Sequence, residues 1–200
     1  MRIFIGIDLD QGIRGKIARF VEGVSGFAPG ARWVLSDSLH ITLKFIGEQK
    51  EEQVDAIARR LRRIESCPFE IQVSGYGFFP TAKSPRVFWV GIHAGPQLAQ
   101  LAGDIDAAVA ELGVPREDRP YSPHLTLARA GGRSGEPKWR KGDGPSSTFA
   151  VLQKRLAAMG ELDFGKMTAN QFILYQSQLS PAGSKYTKLE NFPMRPAESH

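Results

Sequence analysis

His40-Ile41-Thr42-Leu43 and His124-Leu125-Thr126-Leu127 are two copies of one His-x-Thr-x pattern, and the fold assignment starts from them. Each copy alternates a polar with an apolar residue, which is typical of a half-buried β-strand. On such a strand the histidine and the threonine point to the same face, about 6.5 to 7 Å apart, while the apolar residues face the core. Each copy is therefore predicted to present one imidazole and one hydroxyl on the same side of a sheet.

The segments around the two copies predict alternating strands and helices. Strands are predicted at Ile3 to Leu9, Trp33 to Leu35, Leu39 to Ile46, Phe69 to Val73, Val87 to Ile92, His124 to Ala128, Gln171 to Gln178 and Tyr186 to Leu189, and helices at Gln11 to Val24, Glu51 to Glu65, Pro96 to Leu112 and Ser146 to Met159. The stretch Gly75 to Pro80 is predicted to be rich in turns. Since each set of strands and helices contains one His-x-Thr-x strand, we expect an internally duplicated α+β fold, with residues 1-200 as a single domain of two lobes.

Composition and charge narrow the class of protein. The 200 residues include 26 Lys and Arg against 21 Asp and Glu, a formal charge of +5 that favours polyanionic partners such as RNA or nucleotides. Cys67 is the only cysteine, so a disulfide within the chain and a Cys-rich zinc site are excluded, and a reducing cytoplasm is expected. The N-terminal apolar run reaches Asp8 too early for a signal peptide, and no stretch approaches about 18 apolar residues. We expect a soluble cytoplasmic protein without a membrane segment.

The residue types of the two copies indicate acid-base chemistry on a phosphate. The chain has four histidines; His93 follows a strand at its exit and His200 ends the chain, so only the two copies share a context. Histidine titrates near neutrality, so one imidazole can accept a proton while the other donates one. The hydroxyls of Thr42 and Thr126 can donate hydrogen bonds to phosphate oxygens. A cyclic phosphodiester fits between two such faces.

Metal and nucleotide cofactors have no support in the sequence. A catalytic zinc needs about three protein ligands, and neither a His-Glu-x-x-His motif nor a carboxylate-rich cluster accompanies the two histidines. The chain also lacks Gly-x-Gly-x-x-Gly and Walker-type Gly-Lys-Ser/Thr sequences. We therefore expect an enzyme that uses no metal and no cofactor.

These residues resemble a known family, the two-histidine (2H) phosphoesterases, and within it the bacterial and archaeal RNA 2',3'-cyclic phosphodiesterases, also called 2'-5' RNA ligase-like proteins. The likeness covers nearly the whole chain. It is carried by Arg2-Ile3-Phe4-Ile5-Gly6-Ile7, Trp33 to Gly47, Phe78-Phe79-Pro80, Pro85-Arg86-Val87-Phe88-Trp89, Pro123 to Arg129, and Leu174-Tyr175-Gln176-Ser177 with Tyr186.

The resemblance implies a bilobal α+β fold in which two antiparallel sheets face a central, positively charged cleft, with helices on the outside. It implies hydrolysis of a 2',3'-cyclic phosphate to a 2'-phosphomonoester, on RNA ends or on small cyclic nucleotides. His124 would then be the proton acceptor that activates water, and His40 the proton donor to the departing 3' oxygen. Microscopic reversibility would allow a weak 2'-5' RNA ligase activity. Arg129 resembles the family's arginine at the mouth of the cleft, and arginine suits phosphate by its charge and its forked donors.

Several further residues stay open between a role in the site and a structural one. Phe45, Tyr121 and Trp33 could stack on a base or belong to the core. Arg86 could line the cleft or form a structural ion pair. The basic cluster 138–141, in a long Gly-rich loop over residues 131–145, could grip RNA or lie in solvent, and here the chain departs from the family's shorter connection.

Two alternatives to this function stay open as well. The same fold could act on another cyclic phosphodiester or on a 2'-5' linked nucleotide, as relatives in the superfamily do. The chain could also be a non-catalytic protein that binds RNA ends, although two complete motifs argue against that. A monomer is expected.

Overall fold

The computed structural model describes residues 1–131, 147–180 and 183–195. The basic cluster 138–141 and the predicted start of the last helix at Ser146 lie outside these residues. The elements in chain order are β1 (Arg2–Asp8), α1 (Gln11–Val24), β2 (Ala31–Trp33), β3 (His40–Glu48), α2 (Glu51–Leu61), β4 (Phe69–Thr81), β5 (Ser84–Ala94), α3 (Pro96–Ala110), β6 (His124–Ala130), α4 (Ala150–Met159), β7 (Asp163–Ala169), β8 (Gln171–Ser180) and β9 (Gly183–Pro193).

The strands form two antiparallel sheets, which confirms the predicted α+β class. The first sheet has the order β3-β1-β8-β9, and the second has the order β2-β6-β5-β4-β7. Each sheet takes strands from both halves of the chain, so the two sheets are not the two halves of the sequence. One His-x-Thr-x motif lies on β3 in the first sheet and the other lies on β6 in the second.

Local signals in the sequence account for the first elements. β1 is almost continuously apolar, and its central residues are buried. The carboxylate of Asp10 then accepts a hydrogen bond from the backbone N–H of Ile13 at 2.7 Å and caps α1. Ile13 and Ile17 lie one turn apart on the buried face of that helix. The predicted bounds of α1, Gln11 to Val24, agree with the structure.

Two predictions about the middle and end of the chain were wrong. The stretch Gly75 to Pro80 is not a turn region but part of β4, where Gly75 adopts a φ of 70° at a register shift against β5. Gly77 instead allows close packing, since a Cβ there would lie 2.2 Å from the indole of Trp89. The strand β7 was not predicted at all, because a further positive φ at Gly165 interrupts its alternation of buried and exposed residues.

One apolar core lies beneath both motifs. Ile41 of β3 and Leu125 of β6 are completely buried, as is Ile105 on the inner face of α3. The apolar residues of each motif thus anchor its strand, as the alternation predicted. Of the helices within the described ranges, none is both long and apolar enough to cross a membrane.

The first sheet is strongly curved. β3 and β9 are its opposite edges, yet the ring centroids of His40 on β3 and Tyr186 on β9 are only 4.9 Å apart. Phe4 and Tyr175 from the strands between them stack on each other at 4.9 Å. The concave face of this sheet is therefore an aromatic surface around His40.

Candidate active site

Both motif histidines are held in the same way by the backbone that precedes them. The Nδ1 atom of His40 lies 2.8 Å from the carbonyl oxygen of Ser38, and that of His124 lies 2.9 Å from the carbonyl oxygen of Ser122. A carbonyl oxygen only accepts hydrogen bonds, so Nδ1 carries the proton in both rings. Nε2 is then the remaining nitrogen on each ring, a proton acceptor when the ring is neutral and a donor when it is protonated.

A buried arginine supports the turn in front of His40. The guanidinium of Arg14 donates hydrogen bonds to the Asp8 carboxylate and to the carbonyl oxygen of Ser36, and it lies 3.4 Å from the carbonyl oxygen of Leu39. These contacts hold the short turn that carries the Ser38 acceptor. The sequence offered no sign of this role, because Arg14 occupies an ordinary position within an amphipathic helix.

Burial depresses the basicity of both imidazoles. Phe4 and Tyr186 pack on His40 at centroid distances of 4.6 and 4.9 Å, and removal from water lowers the pKa of His40 from 6.5 to about 4. Phe79 packs edge-on against His124 at 4.9 Å, and burial lowers the pKa of His124 too. Both rings are consequently neutral near pH 7 in the free protein.

Each motif strand contains one extra residue directly after its threonine. On β3 the register against β1 shifts at Leu43, and on β6 the register against β5 shifts at Leu127. An inserted residue reverses the alternation of a strand, so the fifth residue after each histidine returns to the face that the histidine occupies. Those fifth residues are Phe45 and Arg129. On a regular strand, both would point to the opposite face.

Phe45 and Arg129 therefore occupy matching places in the two motifs but differ in chemistry. Phe45 is 63% exposed, and its ring centroid lies 5.9 Å from that of Phe4, which contacts His40. Arg129 is half-buried, and removal from water lowers its own pKa. Its positive charge lowers the pKa of both His40 and His124, so it lies near both imidazoles.

Hydrogen bonds from two side chains connect the first motif strand to the chain that leads into the second motif. The hydroxyl of Tyr121 donates a hydrogen bond of 2.9 Å to the carbonyl oxygen of Thr42. The buried ammonium of Lys44 bonds Asp106 at 2.6 Å and the carbonyl oxygen of Pro115 at 2.8 Å. Together with the shared influence of Arg129, these contacts bring the two motifs to one site, which we call the cleft. The sequence did not reveal the role of Lys44, since a lysine after a strand motif is usually exposed.

The other predicted residues fall into different surroundings. Thr42 and Thr126 are half-buried on the cleft face of their strands. Tyr121 directs its hydroxyl to the backbone rather than to open space, and Trp33 packs on Phe88 on the core side of the second sheet. Arg86 is half-buried and is the extra residue at a register shift between β4 and β5.

The two other histidines do not belong to the motifs. His93 is exposed, with its Nε2 atom 3.1 Å from the carbonyl oxygen of Ser74, and His200 lies outside the described residues. Within residues 1–131, 147–180 and 183–195, no three His, Cys, Asp or Glu side chains converge in a way that could hold a metal ion.

Comparisons with known proteins agree with this arrangement. A family model described as LigT like Phosphoesterase matches the chain twice, over residues 7–89 and 90–186, with one motif in each match. The RNA 2',3'-cyclic phosphodiesterase of Archaeoglobus fulgidus is 33% identical over 192 residues, covering 96% of this chain and 99% of the relative. The enzyme of the same name from Thermus thermophilus is 32% identical over 206 residues, covering 98% and 91%.

Solved structures share the fold at nearly full length. A crystal structure of a Thermus thermophilus protein superposes with a TM-score of 0.74 at 30% identity, covering 99% of this chain and all of that one. The crystal structure of E. coli LigT complexed with 3'-AMP gives a TM-score of 0.73 at 27% identity, covering 98% of both chains.

Proposed function

Because the chain belongs to the LigT-like phosphoesterase family, we propose that it is an RNA 2',3'-cyclic phosphodiesterase, which opens a 2',3'-cyclic phosphate to a 2'-phosphomonoester. The observation that carries this proposal is the matched pair of imidazoles. Each keeps its proton on Nδ1 against a backbone carbonyl, and each lies within the electrostatic reach of Arg129. Such a pair suits proton transfer on either side of an anionic phosphate.

In the proposed mechanism the Nε2 atom of His124 accepts a proton from water as the water oxygen attacks phosphorus. The bond from phosphorus to the 3' oxygen breaks, and His40 donates its Nε2 proton to that oxygen. The 2' ester bond stays intact, so the product is a 2'-phosphomonoester. With the 5'-hydroxyl of a second RNA in place of water as the nucleophile, the same steps would join RNA ends through a 2'-5' linkage as a weak activity.

The substrate itself supplies a reason for His40 to carry a proton. In the free protein its pKa is about 4, largely through burial and partly through the positive charge of Arg129. A phosphate beside Arg129 offsets that charge and places a negative group near the imidazole, and both changes favour the protonated ring. Substrate binding thus raises the pKa of both imidazoles, and the assignment of His40 as the proton donor and His124 as the proton acceptor follows the resemblance to the family.

We assign the groups around the phosphate by their position in the cleft. The hydroxyls of Thr42 and Thr126 and the guanidinium of Arg129 would donate hydrogen bonds to the non-bridging oxygens. Phe45 offers an exposed ring on the His40 side on which a base can stack. We keep Tyr121 and Arg86 as residues at the border of the cleft. We further propose that the chain acts as a monomer of one two-lobed domain in the cytoplasm, where its single cysteine stays reduced.

The decisive test is hydrolysis by EDTA-treated protein of nucleoside 2',3'-cyclic phosphates and of a short RNA with a cyclic-phosphate end. We expect turnover to a 2'-phosphomonoester, identified by chromatography against 2' and 3' standards. His40→Ala and His124→Ala should each lower kcat by about 100-fold or more. Arg59→Ala is the control, because Arg59 is exposed on α2, outside both motif strands, and it should keep wild-type activity. Turnover that survives both motif substitutions, or that EDTA abolishes and zinc or manganese restores, would contradict the proposal.

A further inference from the structure

Two arginines lie directly opposite each other at the edge of the second sheet. Arg32 on β2 pairs with Arg129 on β6 in the antiparallel register. Residues opposite each other in such a pair project from the same face with their Cβ atoms about 5 Å apart, and like charges there destabilise the sheet. Because Arg129 faces the cleft, Arg32 does as well. Trp33, the next residue along β2, packs against Phe88 on the other face, as the alternation requires.

Neither guanidinium is balanced by an acidic side chain in the described part of the chain. Within residues 1–131, 147–180 and 183–195, Arg32 and Arg129 form no ion pair with a carboxylate. Arg129 is half-buried, and its pKa is lowered by burial and further by the charge of Arg32. Two adjacent positive charges of this kind, one of them partly removed from water, favour an anionic ligand.

The two arginines differ in their distance from the reacting centre. The charge of Arg129 influences both motif imidazoles, whereas Arg32 influences Arg129 and neither imidazole. Arg32 is also exposed and belongs to the edge strand β2, where the rest of a bound RNA can continue into solvent. It therefore lies one step beyond the phosphate that reacts, on the outer side of Arg129.

We propose that Arg32 binds a second phosphate of the substrate, the one attached to the 5' oxygen of the terminal nucleotide, while Arg129 serves the cyclic phosphate. In RNA these two phosphates are separated by a single ribose, so neighbouring guanidiniums on one sheet face can each take one of them. This inference rests on the proposed function and names its substrate class. The preferred substrate is an RNA end or a 5'-phosphorylated nucleotide, not a nucleoside 2',3'-cyclic phosphate alone.

The test compares two substrates that differ only in the second phosphate, adenosine 2',3'-cyclic phosphate with and without a 5'-phosphate. For each protein the ratio of the two kcat/KM values is measured, because a partial loss of folded enzyme cancels in that ratio. We expect the wild-type protein to favour the 5'-phosphorylated substrate by about tenfold or more, the effect of one charged hydrogen-bonded contact. Arg32→Ala should bring the ratio close to one. Arg32→Lys should retain part of the preference, because lysine keeps the positive charge but lacks the planar pair of N–H donors of the guanidinium.

Arg59→Ala provides the matched control. Arg59 is an exposed arginine on α2, so its substitution changes the net charge by the same amount away from the cleft and should leave the ratio unchanged. The wild-type preference should also shrink as salt is raised, whereas a preference for the base would not.

Three results would overturn the inference. They are a wild-type ratio near one, a ratio in Arg32→Ala equal to that of the wild type, and an equal fall of the ratio in Arg59→Ala. If the wild-type protein hydrolyses adenosine 2',3'-cyclic phosphate in a manner that depends on its motif histidines, any of these results leaves the proposed function standing. If it hydrolyses neither substrate, the proposed function fails and the second phosphate site fails with it.

Discussion

Acidification should weaken the folded protein through His40 by an amount that can be worked out. The pKa of this imidazole is about 4 in the folded chain, against 6.5 when it is free in solvent. A group whose pKa is lowered on folding binds fewer protons in the folded state, so its stabilising effect is complete above about pH 6.5 and is lost as the pH falls toward 4. The difference between these two pKa values corresponds to about 3 kcal/mol in total, of which about 2 kcal/mol is lost between about pH 7 and about pH 5.

The assay is urea unfolding of the wild-type protein and of His40→Asn at these two pH values. The side-chain amide of asparagine can donate to the carbonyl oxygen of Ser38 in place of Nδ1–H, but it does not titrate. Carboxylates that titrate in this range contribute equally to both proteins, so the difference between the two losses isolates the imidazole. We expect the wild-type protein to lose about 2 kcal/mol more than the variant. Equal losses in both proteins would refute the reasoning, as would an NMR titration of His40 with an ordinary midpoint.

Three further predictions concern activity and packing. The pKa values of both motif histidines are lowered in the free protein, so the optimum of kcat/KM should lie on the acid side of 6.5, and a profile centred above neutrality would contradict this. Tyr121→Phe leaves the carbonyl of Thr42 without its donor; a loss of about 1–3 kcal/mol in urea unfolding and a lower kcat/KM are expected, and an unchanged protein would show that this contact is unimportant. Gly77→Ala forces a methyl group into the indole of Trp89 and should lower the free energy of unfolding by about 1–3 kcal/mol in urea. Gly23→Ala, with open space around it, should leave the stability in the same experiment nearly unchanged, and equal losses in the two variants would contradict this.

The fold was predictable where a local pattern coincides with a local structure. α1 is an example, because isoleucines at helical spacing lie within the segment that forms the helix and an acidic N-cap directly precedes it. β4 and β7 show the limit. In both strands a glycine with positive φ breaks the alternation, and β7 pairs with β4, which is distant in sequence.

The candidate site was predictable in its residue types more than in its geometry. The repeated His-x-Thr-x pattern located both imidazoles, but no local signal showed that Arg14 supports the turn before the first of them. Arg32 was missed for a similar reason. Its neighbour Arg129 is almost a hundred residues away in the chain, and only the pairing of β2 with β6 brings the two charges together.

The extra residue after each motif threonine bears on the direction in which a substrate can lie. Two identical His-x-Thr-x strands related by duplication would receive a cyclic phosphate equally well in either sense, and each imidazole could then face either ester oxygen. The inserted residues at Leu43 and Leu127 bring the fifth residue after each histidine onto the same face as that histidine. In the first repeat this residue is Phe45, and in the second it is Arg129. A nucleotide has a base at one end and phosphates at the other, so under the proposed function these unlike partners would select one of its two orientations. The different roles proposed for the two histidines, one as proton donor and one as proton acceptor, would then follow from residues that take no part in proton transfer.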